Sequence, residues 1–158
     1  MDSAFDTRKF VRIQSYGCEL YSKTIEDEAI ACGLTKPEAD VLLFFSNNPE
    51  FQSAVDVARY RGVSKAYVSK ALVRLADKGY ITARVDENDR RFQKIFVTDK
   101  ARGVVERLKQ AQARFSELIL GNLSQEDLET MASLLQKLYE CVIKVYGENI
   151  GKVCDIKD

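Results

Sequence analysis

The chain of 158 residues has no histidine and no tryptophan, only two prolines, Pro37 and Pro49, and no net charge, because 24 Lys and Arg balance 24 Asp and Glu. Without histidine, no Ser-His-Asp or Cys-His catalytic arrangement and no His-containing zinc site can be built. The four cysteines, Cys18, Cys32, Cys141 and Cys154, contain no Cys-x-x-Cys pair and no ligand spacing, so neither a zinc site nor a thioredoxin-like redox motif is indicated. No metal, no cofactor and no enzymatic activity are expected. Apolar runs never approach the roughly 18 residues that a membrane span requires. Met1 to Phe10 also lacks the apolar core of a signal peptide. The expected compartment is the cytoplasm, where the thiols stay reduced.

The neutral total conceals a division. Between Arg59 and Arg102 stand twelve Lys and Arg against five Asp and Glu, an excess of seven, and the remainder carries the opposite excess of seven acids. A basic segment of this kind suits an anionic partner, and the acidic remainder does not.

Helix starts are legible because side-chain oxygens must satisfy the free N–H groups of a first turn. Thr35-Lys-Pro-Glu38, Ser53-Ala-Val-Asp56 and Ser124-Gln-Glu-Asp127 follow the capping-box pattern or its Asp variant, and Ser64 and Thr98 are further candidate caps. The pattern predicts helices over about Asp6 to Cys32, stopped at Gly33, then Lys36 to Asn47, Ala54 to Tyr60 and Lys65 to Lys78. Two long helices close the chain, near Lys100 to Leu120 and Gln125 to Tyr146. Between these groups, Tyr80, Ile81, Ala83 and Val85, then Phe92, Ile95, Phe96 and Val97, flank the polar stretch Asp86 to Arg90 and predict a β-hairpin. In the last helix Leu128, Met131, Leu134, Leu135, Leu138, Val142 and Val145 form an apolar stripe that requires burial. Residues 147–158 read as a flexible polar tail.

From Ser53 to Lys78 the order is short helix, turn with Gly62, cap at Ser64, second helix, which is a helix-turn-helix. Val68, Ala71, Leu72 and Leu75 share one face of the second helix and are expected to pack on Val57 and Ala58. Opposite lie Ala66, Lys70 and Val73, flanked by Lys65, Tyr67, Ser69 and Arg74. Small and cationic residues near a helix N-terminus suit a major groove, with Lys65, Lys70 and Arg74 for the anionic contacts. The Ser64 hydroxyl and N–H at the positive helix end suit a phosphate. The following hairpin adds Arg84, Arg90, Arg91 and Lys94, and a basic hairpin after a helix-turn-helix is the plan of a winged helix. The candidate DNA-binding residues are therefore Ser64, Lys65, Ala66, Tyr67, Ser69, Lys70, Arg74, Arg90, Arg91 and Lys94.

These residues resemble the multiple-antibiotic-resistance regulator (MarR) family of bacterial winged-helix transcription factors. The likeness lies in Val57-Ala58, in Gly62-Val63-Ser64-Lys65 leading to Val68-Ser69-Lys70, in Leu75 before Lys78-Gly79-Tyr80-Ile81, and in Asp89-Arg90-Arg91 leading to Ile95-Phe96-Val97-Thr98. It implies that Arg91 enters a minor groove while Asp89 holds it by an ion pair. One departure is Ala101, three residues after Thr98, where the family often has glycine.

The expected architecture is mainly α with a small β-hairpin wing. Residues 35–98 form the DNA-binding lobe, and residues 1–34 and 99–146 supply dimerisation helices. A homodimer on a palindromic double-stranded operator follows, with half-sites roughly 34–36 Å apart. The resemblance also implies a repressor released by a small aromatic or lipophilic effector. Tyr16, Leu20, Phe44, Phe45, Phe115 and Leu118 are candidates to line such a pocket, but core packing is the better account of aromatic residues at this spacing, and no ligand residues are assigned. Two alternatives stay open. One is a thiol-sensing regulator, although Cys18 has only Glu19 as a charged neighbour, which raises a thiol pKa. Cys32 and Cys141 read as buried small hydrophobes and Cys154 as an exposed tail residue. The other alternative is a winged helix that binds an acidic protein.

Overall fold

The computed structural model describes residues 6–85 and 93–149, and the side chains of these as far as Val145. It divides into two units, residues 1–116 and 117–158. The element order is α1 (Thr7–Ala31), α2 (Lys36–Asn47), α3 (Ala54–Arg61), α4 (Lys65–Asp77), β1 (Ile81–Val85), β2 (Gln93–Val97), one 3-10 turn (Asp99–Ala101), α5 (Arg102–Leu120) and α6 (Gln125–Asn149).

In the first unit α2 is the centre. Every residue from Glu38 to Phe45 is buried, so this helix is covered on all sides, and α1, α3, α4, β2 and the first turns of α5 contribute the cover. Ile25 and Ala29 come from α1, Val57 from α3, Val68, Ala71 and Leu75 from α4, Ile95 from β2, and Val105, Leu108 and Ala111 from α5. Helices α1 and α5 are fastened to one another by polar and aromatic contacts. Glu28 of α1 accepts from Arg107 at 2.8 Å and from Arg114 at 2.7 Å on α5. Burial would raise the Glu28 pKa, but the two guanidinium groups prevail and hold it below its ordinary value. Tyr21 packs edge-on against Phe115 with ring centroids 5.2 Å apart.

The helix-turn-helix closes as the capping patterns predict. Ser53 and Asp56 exchange reciprocal bonds at the start of α3, each 3.2 Å. Gly62 then turns the chain at φ 62°, a conformation that costs a side-chain-bearing residue about 1–2 kcal/mol. The Ser64 hydroxyl accepts the Tyr67 N–H at 3.2 Å and starts α4. At the far end of α4, the Tyr80 N–H reaches the Leu75 carbonyl at 2.9 Å, and the hairpin departs from there.

The strands pair antiparallel, with Ile81 opposite Val97 and Val85 opposite Gln93. Their root is tied in two places. The Ile95 N–H donates to the Gln52 carbonyl at 2.8 Å, and the Thr98 hydroxyl donates to the Gly79 carbonyl at 2.7 Å. Thr98 thus closes the hairpin and makes no side-chain cap on the turn after it. Ala101 is fully buried beneath that turn, so the methyl group that replaces the family's frequent glycine belongs to the core.

In the second unit, Ser124 and Asp127 form the expected reciprocal cap at 3.2 and 3.1 Å. Helix α6 then runs to Asn149, three residues beyond the expected Tyr146. Residues 147–149, expected in the flexible tail, are thus helical, and residues 150–158, with Cys154, lie outside the described residues. The expected burial of the α6 stripe does not occur within the chain: Leu134, Leu135, Val142 and Val145 are each more than half exposed. Cys141 is exposed with them, contrary to its reading as a buried residue. The physical reason is that a periodic stripe records a need for cover without saying which surface supplies it.

Candidate nucleic-acid interface

Helix α4 places Val68, Ala71 and Leu75 in the core and half-buries Leu72. The opposite face presents Lys65, Ala66, Ser69, Lys70, Val73 and Arg74 to solvent, with Ser64 exposed at its N-terminus. Lys65 and Lys70 make no hydrogen bond or ion pair among the described residues. Lys65 is the first residue of α4 and Lys70 the sixth, and a helix N-terminus with cations on its exposed face attracts anions. Arg74 is different, because its guanidinium comes within 4.0 Å of Glu38, and its side chain is nevertheless 62% exposed.

Tyr67 departs from the expectation. It is half-buried, and its hydroxyl donates to Asp40 at 2.9 Å. Burial first, and then the Asp40 charge, push its pKa up to about 12. The periodicity placed Tyr67 on the flank of the outer face, but a long aromatic side chain at the third position of α4 bends back onto the neighbouring helix.

The wing contributes Arg84 and Lys94, which are cross-strand partners. Arg84 is exposed and lies over the Phe96 ring at 5.4 Å, and Lys94 is half-buried. Asp89, Arg90 and Arg91 lie outside the described residues.

Two residues escaped the sequence reading as charged partners. Glu38 is 1% and Asp40 7% exposed, both on α2 and both facing cations from the basic segment. Lys78 donates to Glu38 at 3.0 Å and to the Gly33 carbonyl at 2.7 Å, and Arg61 donates to Asp40 at 2.9 Å. Two of the twelve basic residues between Arg59 and Arg102 are thus turned inward. The outward positive charge is smaller than the count of twelve suggests; among the described residues it is carried by Lys65, Lys70 and Arg74 on α4, by Arg84 on β1, and by Arg59, Lys100 and Arg102 outside them. The available signal was two acids, Glu38 and Asp40, in the otherwise apolar run from Glu38 to Phe45, which only buried partners can accommodate.

Burial alone would raise the Glu38 pKa, but the Thr35 N–H and the Lys78 ammonium hold it below the ordinary 4.5. A carboxylate with a lowered folded-state pKa contributes stability that is complete above its unfolded pKa and is lost as pH falls through the folded one. Urea midpoints are therefore expected to drop as pH falls below about 4.5, and the Glu38→Gln variant is expected to show a shallower acid slope. Equal slopes for the two proteins would show that the Glu38 to Lys78 contact adds nothing.

A family profile described as the MarR family matches residues 33–91. Among solved structures, a MarR transcriptional regulator from Methanosarcina mazei is similar at 18% identity and TM-score 0.74, over 88% of this chain and 99% of that one. A MarR protein from Peptoclostridium difficile is 22% identical with TM-score 0.74, over 94% and 95%. A Staphylococcus aureus MepR–DNA complex is 19% identical with TM-score 0.66, over 89% and 99%. At these identities the structural likeness establishes a common winged-helix fold.

Proposed function

We propose that the chain, whose residues 33–91 match the MarR-family profile and whose fold is that of MarR-family structures, is a transcriptional regulator that binds double-stranded DNA as a homodimer, and a repressor that a small aromatic or lipophilic ligand releases from its operator. The observation that carries the reading is the outer face of α4. A capped helix start, two cations with no internal partner among the described residues, and the small side chains Ala66 and Ser69 between them fit a major groove, where the backbone must come close and long donors reach base edges and phosphates. Ser64, Lys65, Ala66, Ser69, Lys70 and Arg74 form the proposed contact set on α4. Asp89, Arg90, Arg91 and Lys94 are the proposed set on the wing.

Pairing of two chains is supported by apolar surface that one chain leaves uncovered. On α1, Val11, Ile13 and Tyr16 are each at least 55% exposed. On α6, Leu134, Leu135, Tyr139, Val142, Ile143 and Val145 are each at least half exposed. Monomeric proteins seldom leave so much apolar surface in contact with water. No helix among the described residues is long and apolar enough to cross a membrane.

Release by a ligand rests on the family resemblance. The thiol alternative gains nothing from Cys32, whose thiol is half-buried and pushed above its ordinary value by burial, with Arg107 opposing and Glu28 adding to the shift. Fluorescence anisotropy on a duplex from the DNA upstream of the protein's own gene tests the proposal. Binding is expected, Lys70→Ala is expected to weaken it and to lower the salt slope by about one, and an aromatic acid is expected to release the protein where peroxide does not. An unchanged slope in Lys70→Ala would remove α4 from the phosphate contacts.

A further inference from the structure

Asp40 collects donors from three elements on one buried carboxylate. Oδ1 accepts from Arg61, the last residue of α3, at 2.9 Å. Oδ2 accepts from the Tyr67 hydroxyl on the first turn of α4 at 2.9 Å and from the Lys36 ammonium of its own helix. Arg61 and Tyr67 stand on either side of the Gly62 turn, so this carboxylate spans the joint of the helix-turn-helix from behind.

Besides the apolar core that takes in Val57, Val68 and Ala71, few polar contacts hold the angle of the joint. Its own backbone bonds are Gly62 N–H to Arg59 at 3.4 Å and Val63 N–H to Ala58 at 3.1 Å, together with the Ser64 cap. At the other end of α4, Lys78 is bound to Glu38. A helix of 13 residues is roughly 20 Å long. Pivoting by about 10° at the Lys78 end would carry its N-terminus by roughly 3 Å, more than a base-edge hydrogen bond tolerates.

We infer that Asp40 is a positioning residue for α4: its carboxylate sets the angle at which the reading helix leaves the turn, and Tyr67 and Arg61 serve that placement and do not contact DNA. The inference rests on α4 being the DNA-reading helix. A tyrosine whose hydroxyl ionises only near 12 stays a donor across the physiological range, so the contact persists at any pH at which the protein is folded and working. Arg61 neutralises Asp40 from the outer side, where its side chain is 31% exposed.

The test uses full-length protein labelled with ¹³C at tyrosine Cζ, the upstream duplex, and the variants Asp40→Asn, Tyr67→Phe, their combination, and Arg61→Gln. In Asp40→Asn the Tyr67 resonance is expected to titrate nearer the ordinary 10, with the other tyrosines unmoved. Asp40→Asn and Tyr67→Phe are each expected to lose tenfold or more in duplex affinity, and the double variant no more than the worse of the two. Arg61→Gln is expected to lose affinity while keeping the wild-type salt slope. Independent, additive losses, a Tyr67→Phe protein that binds like the wild type, or an Arg61→Gln slope lowered as in Lys70→Ala would each overturn the inference. Tyr67→Phe removes only a hydroxyl and decides the matter if Asp40→Asn fails to fold. Should the wild type bind no duplex, the reading of α4 fails, and an unshifted Tyr67 titration in Asp40→Asn would separately refute the contact itself.

Discussion

Replacing Leu135 and Leu138 together by glutamate is expected to turn the protein into a monomer and to lower its operator affinity about a hundredfold or more. Both leucines are exposed in the single chain, by 54% and 38%, so neither holds the chain's own fold together. Covering a leucine by a partner is worth about 1.5–3 kcal/mol. Two new carboxylates in the same apolar seam would have to be desolvated without partners, at several kcal/mol. Loss of pairing removes the second reading head from the complex, and with it the gain that comes from holding two half-sites at once. Sedimentation velocity at micromolar concentration and circular dichroism together check this. A dimer that survives with unchanged helicity would show that α6 is not the seam.

Truncating Leu75 to alanine is expected to cost about 2–5 kcal/mol of stability, the range for a large core residue, while Val73→Ala, two residues away on the same helix, is expected to stay within about 0.5 kcal/mol. Leu75 is fully buried and Val73 is 59% exposed. The two substitutions thus compare the inward and outward faces of one helix. Binding is expected to respond the other way round under conditions where both variants are folded, since Val73 lies on the outer face of α4 beside the proposed contact residues. Urea denaturation of both variants gives the comparison, and equal losses would show that α4 is turned about its axis relative to the arrangement described above.

Local chemistry was the most legible part of the chain. Ser53 with Asp56 and Ser124 with Asp127 announce helix starts because the N–H groups of a first turn need acceptors, and each pair supplies two of them from its own side chains. Gly62 and Gly79 mark the ends of helices for an equally local reason, as left-handed residues at φ 62° and 72°. The division of α4 into an inner and an outer face follows from its period, and Val68, Ala71 and Leu75 are buried accordingly.

What was not legible depends on partners distant in sequence. Asp40 and Tyr67 are 27 residues apart, and nothing near either residue announces the other. A tyrosine at the edge of a polar face can serve that face or reach back past it, and only the position of α2 decides which. The twelve basic residues were counted as though each faced outward, whereas Arg61 and Lys78 answer buried acids from a segment beyond the counted stretch. Thr98 has the right residue type and place for a cap, but the Gly79 carbonyl, 19 positions earlier, takes its hydroxyl. The α6 stripe was legible as a demand for cover, and the chain by itself leaves that demand unmet.

The central claim is that an electrically neutral protein concentrates its positive charge on one helix face and a wing in order to hold DNA. Affinity for the upstream duplex, measured by anisotropy across a series of salt concentrations with the wild-type protein, addresses it most directly. The expected result is a logarithm of the association constant that falls linearly with the logarithm of salt, with a slope of about 0.9 for each phosphate neutralised and several phosphates engaged, at two chains per duplex. An affinity indifferent to salt between low and physiological concentrations would contradict the account.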